Sequence, residues 1–179
     1  DTDSPVSLNI SGITNGVFWH GGSVANKTTS RVFDARYLDD VTICGNKNSG
    51  GLKSSSTKIP GVLTVDEEKS RISISNNFGD VKLSDNEVSY YSSSKRHLYG
   101  AVISMLGMSS TLNMDNNQAV TITGNKACGN YETRYAEGGA IYLNQYSTFT
   151  IKGNAGLVTL AQNLVKQEKG YAHGGAVAL

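Results

Sequence analysis

The chain has 179 residues with 16 Lys+Arg against 15 Asp+Glu, a formal charge of +1 that gives no whole-chain electrostatic case for nucleic acid or an anionic membrane surface. It holds 20 Gly, 21 Ser, 16 Asn and 14 Thr but only 2 Pro, a turn-forming composition that argues against a helical bundle. A hydrophobic share of 38% is too high for a disordered chain, and no apolar run approaches the ~18 residues of a transmembrane helix.

In chain order, residues 1–21 hold one candidate strand, VSLNIS, and read as a partial N-terminal coil or cap. From residue 22 to 179 the chain repeats. Marker glycines at Gly22, Gly61, Gly100, Gly139 and Gly175 open the segments GGSVAN, GVLTV, GAVISM, GAIYL and GAVAL, at steps of 39, 39, 39 and 36 residues. About ten residues after each glycine comes a second strand-like segment, beginning at Val32, Ile72, Leu112 and Phe149. A third begins at Val41, Val81, Val120 and Val158. Both alternate apolar and polar residues and close on Asn: Asn77, Asn117 and Asn154 in one column, Asn46, Asn86, Asn125 and Asn163 in the other. Longer segments, 47–60, 87–99, 126–137 and 164–174, lead back to the next glycine as loops on one corner.

Stacking the periods turns sequence columns into spatial ladders. Val24, Leu63, Val102, Ile141 and Val177 form one aliphatic column, the second- and third-strand starts form two more, and Ile43, Leu83, Ile122 and Leu160 a fourth. In the first copy Asp34 stands where later copies have an aliphatic residue. The expected fold is all-β: a right-handed parallel β-helix with three strands per coil, about four coils and a period of ~39 residues. An antiparallel sandwich would not produce a 39-residue beat with Asn at fixed offsets. Each Asn is expected to hydrogen-bond to the next coil and to take the left-handed backbone of the bend.

The GGAI at 138–141 and GGAV at 174–177, combined with ISNN (74–77), ITGN (122–125), IKGN (151–154) and LAQN (160–163), resemble the GGA[ILV] and FxxN repeats of polymorphic-membrane-protein autotransporters. Ile or Leu replaces the phenylalanine of FxxN here. The resemblance implies secretion, a cell-surface or outer-membrane location, adhesion to a host-cell protein or glycan, and a membrane barrel elsewhere in a longer chain; it implies no catalytic residue. The chain stops at Leu179 inside the first strand of a coil, so a piece of a longer passenger is expected, with open ends that would permit self-association.

Six of the 9 tyrosines fall in the returning segments beside Lys, Arg or His. Tyr90, Tyr91, Arg96, Tyr99, Arg134, Tyr135 and Tyr171 are therefore the candidate ligand-binding residues, since Tyr and Arg combine apolar area with hydrogen bonding. The competing readings are a spacer whose rings merely cover the strands beneath, and a polysaccharide lyase or hydrolase. An enzyme would need paired carboxylates or a carboxylate cluster beside a base. Asp39 and Asp40 are adjacent and would face opposite ways, Asp85 and Glu132 stand apart, and His20 and His173 lie about four coils from each other, so no enzyme is expected. No Cys/His metal motif, P-loop or GxGxxG fingerprint is present, so neither metal nor cofactor is expected. Cys44 and Cys128, two coils apart, are expected to be free.

Overall fold

The computed structural model describes residues 6–14, 18–21, 30–49, 58–90, 96–130 and 133–179. Over these residues the chain is all-β, a parallel solenoid in which each strand pairs with its counterpart about 39 residues away. Five sheets run along the stack, two of five strands and three of four. Sheet I holds Trp19–Gly21, Leu63–Val65, Ile103–Met105, Ile141–Leu143 and Val177–Ala178. Sheet II holds Val32–Arg36, Arg71–Ser75, Thr111–Asn113 and Thr148–Thr150. Sheet III holds Leu8–Ser11, Val41–Cys44, Val81–Ser84, Val120–Thr123 and Val158–Ala161.

The returning segments are not loops. Each is a strand out and a strand back. Sheet IV collects Lys47–Asn48, Glu87–Tyr90, Lys126–Gly129 and Leu164–Gln167. Sheet V collects Lys58–Ile59, Arg96–Tyr99, Thr133–Glu137 and Tyr171–His173. A coil thus carries five strands rather than the expected three. Sheets I, II and III enclose the main core, while sheets IV and V pack on one another as a flange with its own small core of Ile59, Val88, Leu98, Ala101, Ala127 and Ala136.

The main core follows the sequence columns. Val41, Val81, Val120 and Val158 are register partners, as are Ile43, Leu83, Ile122 and Leu160. Leu8 and Ile10 extend both columns, so VSLNIS is a strand of sheet III. Two columns need correcting. In sheet II the partner of Ile72 is Phe33, not Val32, and the partner of Ile74 is Ala35. Asp34 therefore faces outward, where Arg36 (2.6 Å) and Arg71 (3.6 Å) hold its carboxylate, and Val32 is exposed. A one-residue slip inverts every side chain of a strand, and the charge at Asp34 decides the register. In sheet I the column is Trp19, Leu63, Ile103, Ile141 and Val177; Ile103 replaces Val102, and the first member comes from Trp19–Gly21. The expected strand at 22–26, with Val24, lies outside the described residues.

The asparagine ladders are present and have a direction. The side-chain oxygen of Asn125 accepts the backbone N–H of Asn86 (3.1 Å) and its side-chain amide (2.9 Å), and Asn163 does the same for Asn125. Each amide also donates back to a strand of the preceding coil: Asn125 to the Leu83 carbonyl at 2.9 Å, Asn163 to Ile122 at 2.8 Å. Asn77, Asn117 and Asn154 form the second ladder. A third, of serines, was not foreseen: Ser70 N–H donates to Ser110 Oγ, and Ser110 N–H to Ser147 Oγ, both at 3.1 Å. The left-handed backbone sits not on the ladder residue but immediately before it. Gly45, Asp85, Gly124 and Gln162 precede one Asn column with φ between 55° and 68°, Asn76, Asn116 and Gly153 precede the other, and Lys69, Ser109 and Tyr146 precede the serines. The bend turns the following side chain inward along the stack, where it bonds the next coil.

The paired glycines of GGAI and GGAV have separate jobs. Gly138 and Gly174 take φ of 68° and 62°, and a Cβ on Gly139 would overlap the carbonyl oxygen of Gly175 in the next coil.

Candidate functional site

Sheet V alternates because its inner face packs on sheet IV. Ile59, Leu98 and Ala136 point into the flange core, which leaves the residues on either side of them on the outer face. Register then stacks these residues into two outer columns. Lys58, His97, Tyr135 and Tyr171 form the first; Tyr99, Glu137 and His173 form the second.

The first column is a ring stack. His97 lies 4.9 Å from Tyr135, and Tyr135 lies 5.3 Å from Tyr171 with only 15° between the planes. Tyr171 is 59% exposed, while His97 and Tyr135 are half-buried. Lys58 pairs loosely with Asp66 at 3.8 Å. In the second column the Glu137 carboxylate meets His173 Nδ1 at 3.3 Å, and the Tyr99 hydroxyl lies 3.3 Å from Nδ1 of His97.

The outer faces of sheets V and I meet at an inside corner, marked by Tyr99 against Tyr142 with centroids 4.4 Å apart. Ser104 roofs this corner. It is fully buried, accepts the Gly61 N–H at 2.8 Å, and reaches the Tyr99 and Gly100 carbonyls at 3.1 Å. Burial and the nearby Tyr142 and Glu137 raise the Tyr99 phenol well above its ordinary pKa. Burial, then the Glu137 carboxylate, push Tyr142 up to about 12. On the other side of the flange, burial and Glu87 raise the Cys128 thiol against the opposing pull of Lys126 and Lys166. Cys128 and Cys44 are free.

The expected binding residues whose side chains are described do not form one strip. Tyr135 and Tyr171 stack in the outer column; Tyr99 is buried in the inside corner and offers almost no surface. Tyr90 ends its sheet IV strand against the flange core, and the Arg96 guanidinium sits 5.4 Å from its ring, a cation–π contact. Tyr91 lies outside the described residues, and of Arg134 only the backbone, inside the strand Thr133–Glu137, is described. Lys58, His97, Glu137, Tyr142 and His173 were not among the expected site residues. The signal that finds four of them is the alternation just before each marker glycine, in KIPG, RHLYG, RYAEG and GYAHG, where polar or aromatic residues flank one apolar residue.

Of the carboxylates weighed for catalysis, Glu132 lies outside the described residues. Asp40 accepts the Asp80 N–H at 2.8 Å and so ties two coils together. Among the described residues no three His, Cys, Asp or Glu side chains converge on a metal position. The outer face of sheet V carries one column of Lys58, His97, Tyr135 and Tyr171 and a second of Tyr99, Glu137 and His173, which together present rings, hydroxyls, imidazoles and one carboxylate. No family model, curated protein or solved structure matches the chain.

Proposed function

We propose that the chain is the β-solenoid passenger region of a cell-surface or secreted adhesin, of the polymorphic-membrane-protein autotransporter type, and that the outer face of sheet V holds a host-cell protein or glycan. The observation that carries this reading is the in-register column of His97, Tyr135 and Tyr171, half-buried to exposed, on a flange that projects from the core. Tyrosines combine contact area with hydrogen bonding at small entropic cost. The GGAI and GGAV segments support the family, which in turn supports a membrane barrel in a longer chain. A net charge of +1 gives the chain as a whole no electrostatic case for nucleic acid.

One observation favours the spacer reading: Tyr135 and Tyr171 cover one another's ring faces, and Tyr99 and Tyr142 bury theirs in the corner. Changing His97, Tyr135 and Tyr171 together to Ser separates the two. For an adhesin, attachment of the labelled chain to cultured epithelial cells and to an immobilised glycan panel falls about ten-fold or more, with β-sheet circular dichroism retained. Attachment equal to that of the unchanged chain would leave the flange as scaffold.

A further inference from the structure

We propose that Tyr135 and Tyr171 form an oxidative cross-linking site, joined ring to ring as a dityrosine when the chain meets a haem peroxidase and hydrogen peroxide. This stands apart from the binding reading and rests on geometry alone. The two residues face each other in register on adjacent parallel strands, so their Cα atoms are held about 4.8 Å apart. Their rings stack at 5.3 Å and 15° on the outer face of sheet V.

The chemistry balances. Each phenol loses one electron and its hydroxyl proton to the oxidised haem. The two phenoxyl radicals then couple through ring carbons ortho to the oxygens, and the two displaced ring protons return the oxygens to phenols. For each bond formed two hydrogen atoms leave the protein and one hydrogen peroxide becomes two waters. Holding the second ring against the first makes the coupling effectively unimolecular.

Two tyrosine ring pairs exist among the described residues, and they differ in access. Tyr99 and Tyr142 are closer, at 4.4 Å, but their planes are tilted by 47° and Tyr99 is 8% exposed. Burial and Glu137 also resist proton loss from both of those phenols. Tyr37 and Tyr146 are more exposed than Tyr171, yet among the described residues neither has a tyrosine ring against it. The bond would staple two successive coils across the flange and close a segment of 36 residues, restricting the unfolded chain as a disulfide does.

The test treats the folded 179-residue chain with a haem peroxidase and limiting peroxide. The expected product is monomeric, lacks two hydrogens and has dityrosine fluorescence. After trypsin it yields the peptide 135–152 joined to 170–179, with fragmentation placing the bond on Tyr135 rather than Tyr142 or Tyr146. Tyr135→Phe and Tyr171→Phe each lower the yield about ten-fold or more, Tyr142→Phe leaves it unchanged, and dilution does not alter it. Phe keeps the ring stack, so these variants remain folded. A bond that persists in Tyr135→Phe overturns the proposal. So does a yield that rises with protein concentration, or an equal yield of the same pair from the urea-unfolded chain.

Discussion

The body enclosed by sheets I to III and the flange of sheets IV and V share one stacking geometry but are held together by different means. In the body the inward-facing strand residues of the middle coils are Val, Ile, Leu or Met at full burial, with Ala140 beside them at a bend, and polar ladders of Asn and Ser run along the bends. In the flange the facing side chains shrink along the stack, from Val88 and Leu98 in one coil to Ala127 and Ala136 in the next. The body is a closed core that demands a repeating sequence. The flange is a thin two-layer arm whose inner contact tolerates variation and whose outer faces are free to carry rings and charges. A solenoid divides its labour this way because backbone pairing already secures the arm, so few side chains are needed to keep it in place.

The largest expected difference is in core truncation. Ile122→Ala removes a fully buried side chain from the middle of the body and should cost about 2–5 kcal/mol in denaturant unfolding. Leu98→Ala is the same kind of change in the flange, where a thin layer can settle onto the gap, and should fall near about 2 kcal/mol, the low end of that range. Equal costs would mean that the flange is as tightly determined as the body. Amide exchange should agree, with protection highest in Val81–Ser84 and Val120–Thr123 and lower in Glu87–Tyr90 and Lys126–Gly129.

Next in size is the asparagine ladder. Asn125→Leu leaves the Asn86 amide without its side-chain acceptor and the Leu83 carbonyl without its donor, so about 1–3 kcal/mol is expected from equilibrium unfolding. A cost below about half a kcal/mol would show that water replaces these bonds and that the ladder is not part of what closes the body.

This division also explains what could be read from the sequence. The body was legible because its best-kept inward columns stay aliphatic: Val41, Val81, Val120 and Val158 recur at fixed offsets and are register partners. The flange was illegible because its inner residues change size and number from coil to coil, Ile59 and Leu98 giving way to Ala136, so its strands looked like polar loops. The slip at Val32 has the same origin. Phe33–Ala35 and Val32–Asp34 fit the alternation comparably, and only the ion pairs of Asp34 show which faces outward. Of the candidate site, Tyr135 and Tyr171 were legible by composition, whereas Tyr99 and Tyr142 were separated by a fold-back that aromatic counting does not reveal.

The inside corner joins the two regions, and pH reports on it. Tyr142 titrates at about 12 in the folded chain against about 10 when unfolded. A raised folded pKa means that the native state holds its proton more tightly, so this contribution is complete below pH 10 and is lost as pH rises from 10 towards 12. Tyr99, shifted in the same direction, adds to the effect. Denaturant midpoints should therefore hold level to about pH 9 and then fall. Tyr142→Phe should flatten part of that fall, and an unchanged alkaline slope would show that the corner admits water freely.

The smallest expected stability effect isolates the electrostatic part of the same corner. Glu137 pairs with His173 across one coil step, its side chain 20% exposed and the histidine 55%. A polar contact this open to solvent contributes little, so Glu137→Gln should change unfolding by less than about 1 kcal/mol. Its titration effect should nevertheless be visible, because the Glu137 carboxylate is the second cause, after burial, that holds the Tyr142 phenol protonated. Removing that charge should lower the pKa of Tyr142 from about 12 part of the way towards 10, read from tyrosinate absorbance in the difference between Glu137→Gln and Glu137→Gln/Tyr142→Phe. A complete return to 10 would mean that the charge alone shifts Tyr142 and that the contact with Tyr99 is wet. No movement would place the whole shift on burial, and would make the join between flange and body a packed seam in which Glu137 serves only its partner His173.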